Sequence, residues 1–393
     1  MHNRYDAGDF LKISLPLATS VVLLTTSVLE FPEGYRAAGA EQPALDSLRW
    51  ALQYLVDCHI EPYAYVALIG DVDRDHGYWG PPEAQQVERP VEAVRRGAPA
   101  ADLLGAAAAT LAAGSELFAT RDAPFSSHLL ATAIHLYDCP GVKKTYATTR
   151  HADKLMLAAA WLLRVTGEAN YGEAALAHWR AEGPSVYVGW DSLYAPAVNV
   201  LLQLSSRGTP VPGAEEYDNW WHQTFWPVWD KADGNWSVVR TPKGLVYPSW
   251  SQWGNLRYSG NVAFAMAVRA AYSRDPDEAR RCLAWSRGQL DYALGSAGRS
   301  FVVGIGRDAP CRPHHRAASV PSRQAQGWAF LHDPGPNPHC LTGALVGGPP
   351  SGDDSYVDDR NNYQCNEVAV DYNAGYTGAL AGVLALMARL PAR

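Results

Sequence analysis

Basic residues are few in this chain and form no run longer than two. Of 393 residues, 33 are Lys or Arg and 40 are Asp or Glu, a formal net charge of −7. Without a run of Lys and Arg to track a phosphate backbone, nucleic acid is excluded as the expected partner, and a neutral polymer suits the balance better. The six cysteines (Cys58, Cys139, Cys282, Cys311, Cys340 and Cys365) are too scattered for a disulfide framework, and none forms the CxxC pair of a structural zinc site. Pairing of Cys311 with Cys340 is conceivable, but buried free thiols are the plainer reading. Long apolar runs are also lacking. The best candidate, LPLATSVVLLTTSVL over 15–29, is short, rich in Thr and Ser, and has neither a basic run before it nor a small-residue cleavage site after it. It reads as a buried helix, and no targeting signal is visible. Phenylalanine is scarce, 8 against 14 Trp and 20 Tyr. A core is filled best by Phe, whereas Trp and Tyr suit a wet cleft where a flat ring also presents a polar edge.

Hydrophobic residues make up 47% of the chain, enough for a sizeable core, so disorder is not the expectation. Apolar residues at helical spacing predict helices near 15–29, 44–58, 99–119, 126–137, 151–166, 171–181, 190–205, 260–273, 276–294 and 370–389, with a Trp-rich helix around 216–228. Strand signals are few: SFVVGI at 300–305 and a weaker one at 237–240. Many Ala-rich helices imply an all-α fold of helices packed in pairs. The Gly- and Pro-rich stretch 333–354 resembles a linker, yet both flanks carry chemical candidates, so one domain over 1–393 is the expectation. His135 and the NWW residues Trp220 and Trp221 read as packing, and Met156, Met266 and Met387 as core filler. A sequon, Asn235-Trp236-Ser237, would permit glycosylation in a secretory compartment.

Three segments carry chemistry. Tyr5-Asp6-Ala7-Gly8-Asp9 puts two carboxylates three apart around a glycine, able to turn toward a common polar group. By itself this is an ordinary turn composition. The stretch from Tyr356 to Gly375 (YVDDRNNYQCNEVAVDYNAG) packs amides, carboxyls and aromatics ahead of the last helix. There the helix dipole favours an ionised Glu367, whereas an acid role needs the opposite push from burial or from Asp358 and Asp371. Between them lie SFVVGIG (300–306) and Arg312-Pro313-His314-His315-Arg316. Adjacent His residues suggest metal, but no third ligand stands at recognisable spacing, and hydroxyl recognition fits better.

Together these segments resemble glycoside hydrolase family 9, the cellulase family of (α/α)6 barrels. The resemblance rests on DAGD, on GxGxxxPxxPHHR and on DDRNNYQCNEVAVDYNAG. It is extended by DHGYWGPPE (75–83), LVYPSWSQWGNLRY (245–258) and LTGALVGGP (341–349), in the family's order from Tyr5 to Gly378. It implies hydrolysis of β-1,4-glucan with inversion, Asp9 as general base with Asp6 holding the attacking water, and Glu367 as general acid. Asp358, His314 and Arg316 would bond the sugar and orient the carboxyls. Trp79, Trp253, Tyr258 and Tyr372 would offer stacking faces or hydroxyls, and His76 and Arg257 polar contacts. No cofactor is implied, and an extracellular monomer acting on polysaccharide, with no membrane segment, is expected. Two departures stand out. The chain begins almost at DAGD, so the first barrel helix is expected to be missing, leaving an apolar groove. And Lys154, in His151-Ala152-Asp153-Lys154-Leu155-Met156, replaces an acidic residue of the family's calcium-binding segment, so no metal is expected there. Rival readings are a glycan-binding protein without turnover and an exo-acting hydrolase on another β-linked glycan.

Overall fold

The computed structural model describes residues 5–96, 100–138 and 150–389. Ten long helices organise it: α1 (Ser14–Glu30), α2 (Glu41–Asp57), α3 (Ala101–Phe118), α4 (Ala123–Tyr137), α5 (Ala152–Thr166), α6 (Ala169–Glu182), α7 (Tyr194–Ser206), α8 (Asn255–Tyr272), α9 (Pro276–Asp291) and α10 (Val370–Arg389). Six of them close an inner ring in the order α1, α3, α5, α7, α8, α10 and back to α1. The composition of α3 explains its place. Its Ala and Gly residues are buried nearly all round, and such small side chains let α1 and α5 approach from both sides. The others, with polar outer faces, pack outside: α2 against α1, α4 against α3, α6 against α5 and α9 against α8. Outside α7 runs a helical stretch in three pieces, Ala214–Trp220, a wider π turn Trp221–Phe225, and Trp226–Lys231. This is the expected (α/α)6 barrel.

Local chemistry sets several boundaries. Asp122 and Asp275 cap α4 and α9 by accepting from Phe125 N–H and Asp277 N–H, each beside a proline in the first turn. The 15–29 run is a buried inner-ring helix, and no helix among the described residues is long and apolar enough to cross a membrane. The sixth outer position, against α10, holds only the short helix Pro32–Ala37. Nearby an apolar groove of about 690 Å³ runs between α1, α2 and α10, bordered by Leu24, Val28, Leu48 and Val368, with Tyr5 to Ala7 along it.

Several expectations need correction. SFVVGI is not a strand: Phe301, Val302 and Val303 are buried, but only a single bridge joins Val302 to Leu345. The larger sheet was not foreseen. In it β1 (Lys12–Ile13), β2 (His59–Glu61) and β4 (Val91–Arg95) all pair antiparallel with β3 (Ala64–Ile69). A second pair, β5 (Val238–Arg240) and β6 (Val246–Pro248), includes the weaker predicted strand. Met387 is exposed, not core. Cys58, Cys282 and Cys365 are buried free thiols, but Cys311 and Cys340 are exposed and unpaired; Cys139 lies outside the described residues.

Candidate active site

The chemical candidates gather at the N-terminal ends of α1, α8 and α10. Asp6 and Asp9 lie just before β1 and α1, Trp253 and Gly254 just before α8, and Glu367 three residues ahead of α10. Backbone bonds lace these segments together. Arg316 N–H donates to Gly8 O at 3.2 Å, Val370 N–H to Asp6 O at 3.0 Å, His314 N–H to Asn366 O at 2.8 Å, and Gly254 N–H to Gln364 O at 3.1 Å. Two glycines permit this closeness. A Cβ on Gly8 would stand 2.6 Å from His314 O, and one on Gly254, whose φ is +64°, 2.5 Å from the Tyr372 ring.

Glu367 has a protonation state suited to an acid. Burial pushes its carboxyl up to about 7; the hydrogen bond from Trp253 Nε1 at 2.9 Å pulls it down, and Asp9 and Asp371 push it further up. Burial thus outweighs the dipole of α10. The Tyr372 hydroxyl lies 3.4 Å from the same oxygen. Burial also drives Asp6 well above the usual carboxylate range, reinforced by Asp371, Asp9 and Glu367. Asp6 Oδ1 and Asp9 Oδ1 are both buried without a hydrogen-bond partner in the protein. Such acceptors cost about 1–3 kcal/mol each unless something polar meets them.

The Asp9 loop is braced from outside. Buried Asp75 pairs with Arg316 and accepts from Phe10 N–H at 3.4 Å and Gln85 Nε2 at 3.1 Å, while Arg89 holds Phe10 O. His76 Nε2 lies 3.5 Å from Asp9 Oδ2, and hydrogen bonding to Asp9 raises the imidazole's pKa. Asp9, Asp75 and His76 are the one metal-like grouping among the described residues, with ligand atoms within 4.8 Å of one another. Asp75 is already committed to a guanidinium, which argues against a cation there. Elsewhere, the Lys154 ammonium sits 2.9 Å from Asp153 Oδ2 and donates to Asp191 O at 2.7 Å, both side chains fully buried. Those oxygens are committed to an internal cation.

The structure brings the predicted carboxyls, His76, His314, Trp253, Arg257, Tyr258 and Tyr372 to one region but revises several parts. Arg316 is not open to sugar, because it is buried against Asp75. Trp79 is 3% exposed, donates to Ser319 Oγ at 3.0 Å and stands edge-on to His314, so it supports that ring and offers no free face. Arg257 is committed to Asp371 at 2.8 Å and Tyr372 is buried. Asp358 accepts from Cys311 N–H at 2.8 Å and Arg312 N–H at 3.2 Å; the like charges beside Glu367 come from Asp9 and Asp371. His314, its Nδ1 2.7 Å from Arg360 O, is held mainly neutral by burial. Trp253 keeps a 44% exposed ring beside Tyr363.

Sequence reasoning missed Asp75, although it directly precedes His76 in the quoted motif, and Arg360. The latter is buried and holds the carbonyls of Phe330, Asp333 and Gly335, so it folds the linker-like loop onto the site. No local spacing signals such a role.

Several known proteins resemble this chain. The chain is 33% identical to Endoglucanase 4 of Bacillus sp. (strain KSM-522) over 98% of its own length and 62% of that protein's. It is 32% identical to Endoglucanase 14 of Arabidopsis thaliana, over 96% of its own length and 83% of the relative's. It spans about six-tenths of the Bacillus relatives it matches. The endoglucanase of the termite Nasutitermes takasagoensis superimposes with a TM-score of 0.87 at 34% identity, covering 98% of this chain and 88% of that one. The endoglucanase CelQ of Clostridium thermocellum does so at 0.80 and 30%, covering 97% and 63%. With residues 4–380 matching the profile of glycosyl hydrolase family 9, the chain belongs to that family.

Proposed function

We propose that this protein is an endo-acting β-1,4-glucanase that hydrolyses with inversion, Asp9 serving as general base and Glu367 as general acid. The observation that carries it is the contrast between the two carboxyl groups. Glu367 is pushed up to about 7, so about half of it keeps its proton at neutral pH, while Asp6 Oδ1 and Asp9 Oδ1 are buried with no hydrogen-bond partner in the protein. A water received by Asp6 and Asp9 loses its proton to Asp9 as it attacks the anomeric carbon. In the same step the bond from the anomeric carbon to the glycosidic oxygen breaks, and Glu367 gives its proton to that departing oxygen. Inversion needs room for that water between sugar and base, with carboxyls roughly 6.5–9.5 Å apart. The two carboxyls and a water are sufficient reagents, so no cofactor enters the mechanism.

The relatives named endoglucanases support the endo reading, and CelQ, solved with cellotriose, supports a β-glucan chain as the ligand. Membership of this family supports an extracellular place of action. The test is proton NMR of freshly cleaved cello-oligosaccharide, with Glu367→Gln alongside. The α-anomer should appear first and vanish in the variant; a first-formed β-anomer would overturn inversion. Tight binding with no product from the intact protein would favour a glycan-binding role instead. Endo action predicts that the viscosity of a soluble cellulose derivative falls well before reducing ends accumulate.

A further inference from the structure

Beyond the residues around Glu367, a second set of aromatic rings stands in solvent with no part in the acid–base chemistry. Trp236 and Trp250 are 41% and 53% exposed. Edge-to-face contacts connect them. Tyr187 lies 6.4 Å from Trp236 and 5.3 Å from Trp250, and Trp250 lies 5.5 Å from Tyr258, between ring centroids at 74–83°. The Tyr258 hydroxyl accepts from Arg257 at 3.0 Å, and Arg257 pairs with Asp371. Contacts thus connect the row, through Tyr258 and Arg257, to the region that holds Glu367.

The backbone under Trp236 is unusual. Gly234, Trp236 and Ser237 have φ of +96°, +54° and +57°. A bulky residue in the left-handed region costs on the order of 1–3 kcal/mol and persists only where its surroundings over-determine it. Here Ser249 N–H donates to Ser237 O at 2.6 Å, and the Tyr187 hydroxyl to Trp236 O at 2.5 Å. Strain is thus held in a turn whose effect is to present an indole to water, where burial would have been favourable. Strain maintained against packing is a mark of ligand clamps.

We propose that Trp236 and Trp250 form an outlying saccharide platform, stacking on glucosyl units of a β-1,4-glucan that extend beyond the bond being cut. A β-linked glucose unit presents its C–H groups on flat faces and its hydroxyls at the rim. Uncharged aromatic rings, kept upright by Tyr187 and Tyr258, complement those faces. This rests on the β-glucanase reading and adds that long chains are preferred over short ones.

The test compares the intact protein with Trp236→Ala, Trp250→Ala and Trp236→Phe on cellohexaose and cellotriose. Each alanine variant should lower the ratio of kcat/KM for cellohexaose to that for cellotriose about fivefold, the scale of one aromatic contact, through KM. Trp236→Phe should retain most of it. If the ratio stays constant while both rates fall with the melting temperature, the rings are only structural and the platform is overturned. Cellohexaose binding by calorimetry, in Glu367→Gln protein with and without Trp236→Ala, separates the two proposals. If the intact protein cleaves nothing, the hydrolase reading falls. An unchanged Kd on removing Trp236 overturns the platform whether or not turnover occurs.

Discussion

Glu367 combines two opposed requirements, a proton held near neutrality and a position at a helix mouth, and burial decides between them. As pH rises through about 7 this acid loses its proton, so kcat/KM should fall about tenfold per pH unit on the alkaline side, read from a pH–rate profile. Glu367→Gln should lower kcat by about 10²–10⁴-fold. Stability changes in the same direction as activity. A carboxyl whose folded pKa lies above its unfolded value near 4.5 stabilises fully below that value, and the contribution is lost as pH rises through about 7. Glu367→Gln should therefore gain on the order of 3 kcal/mol relative to the intact protein between pH 4 and pH 8. Parallel urea denaturation curves at both pH values would refute this.

At the scale of elements, the site is a junction of loops that brace one another. The Asp6–Asp9 loop has little secondary structure of its own, yet Asp75, Arg316, Arg89 and the start of β1 fix it in place. Breaking a buried ion pair from one side leaves the other charge uncompensated, typically at 3–5 kcal/mol. Asp75→Ala should lower stability by about that much, measured by thermal or urea unfolding, and activity should fall more than for exposed substitutions, because the geometry of the proposed base, Asp9, depends on this loop. Gly8→Ala is expected to reduce kcat at least tenfold with a smaller loss of stability, since the added carbon meets His314 O. Wild-type kcat in that variant would show that the loop tolerates displacement.

At the scale of the molecule, the inner ring has two unlike ends. The groups proposed to react sit where α1, α8 and α10 begin. At the other end Arg164 of α5 bonds Glu30 of α1, Glu116 of α3 and Gln203 of α7, tying four inner helices with one largely buried guanidinium. Arg164→Ala should cost about 3–5 kcal/mol and lower the melting temperature while leaving KM unchanged. A change in KM would mean that the ends are coupled. Lys154 plays a comparable part in the ring wall, where its ammonium neutralises a fully buried Asp153.

What the sequence by itself determined was the set of helices and the order of the motifs. Helical periodicity over ten long segments is a local property, so α1 to α10 were legible, as was the buried character of 15–29. The paired carboxyls and Glu367 were legible because their motifs are contiguous. The tertiary structure alone decided which motif residues face the cleft. Trp79 and Arg316 stand in motifs beside His76 and His314, yet are buried as supports, and Asp358 is spent on the 311–312 backbone. Trp236, which read only as part of a sequon, proved to be an exposed ring on a strained turn. Exposure and partner choice depend on residues far apart in sequence, such as Asp75 and Arg316, and only the closed ring of helices brings those together.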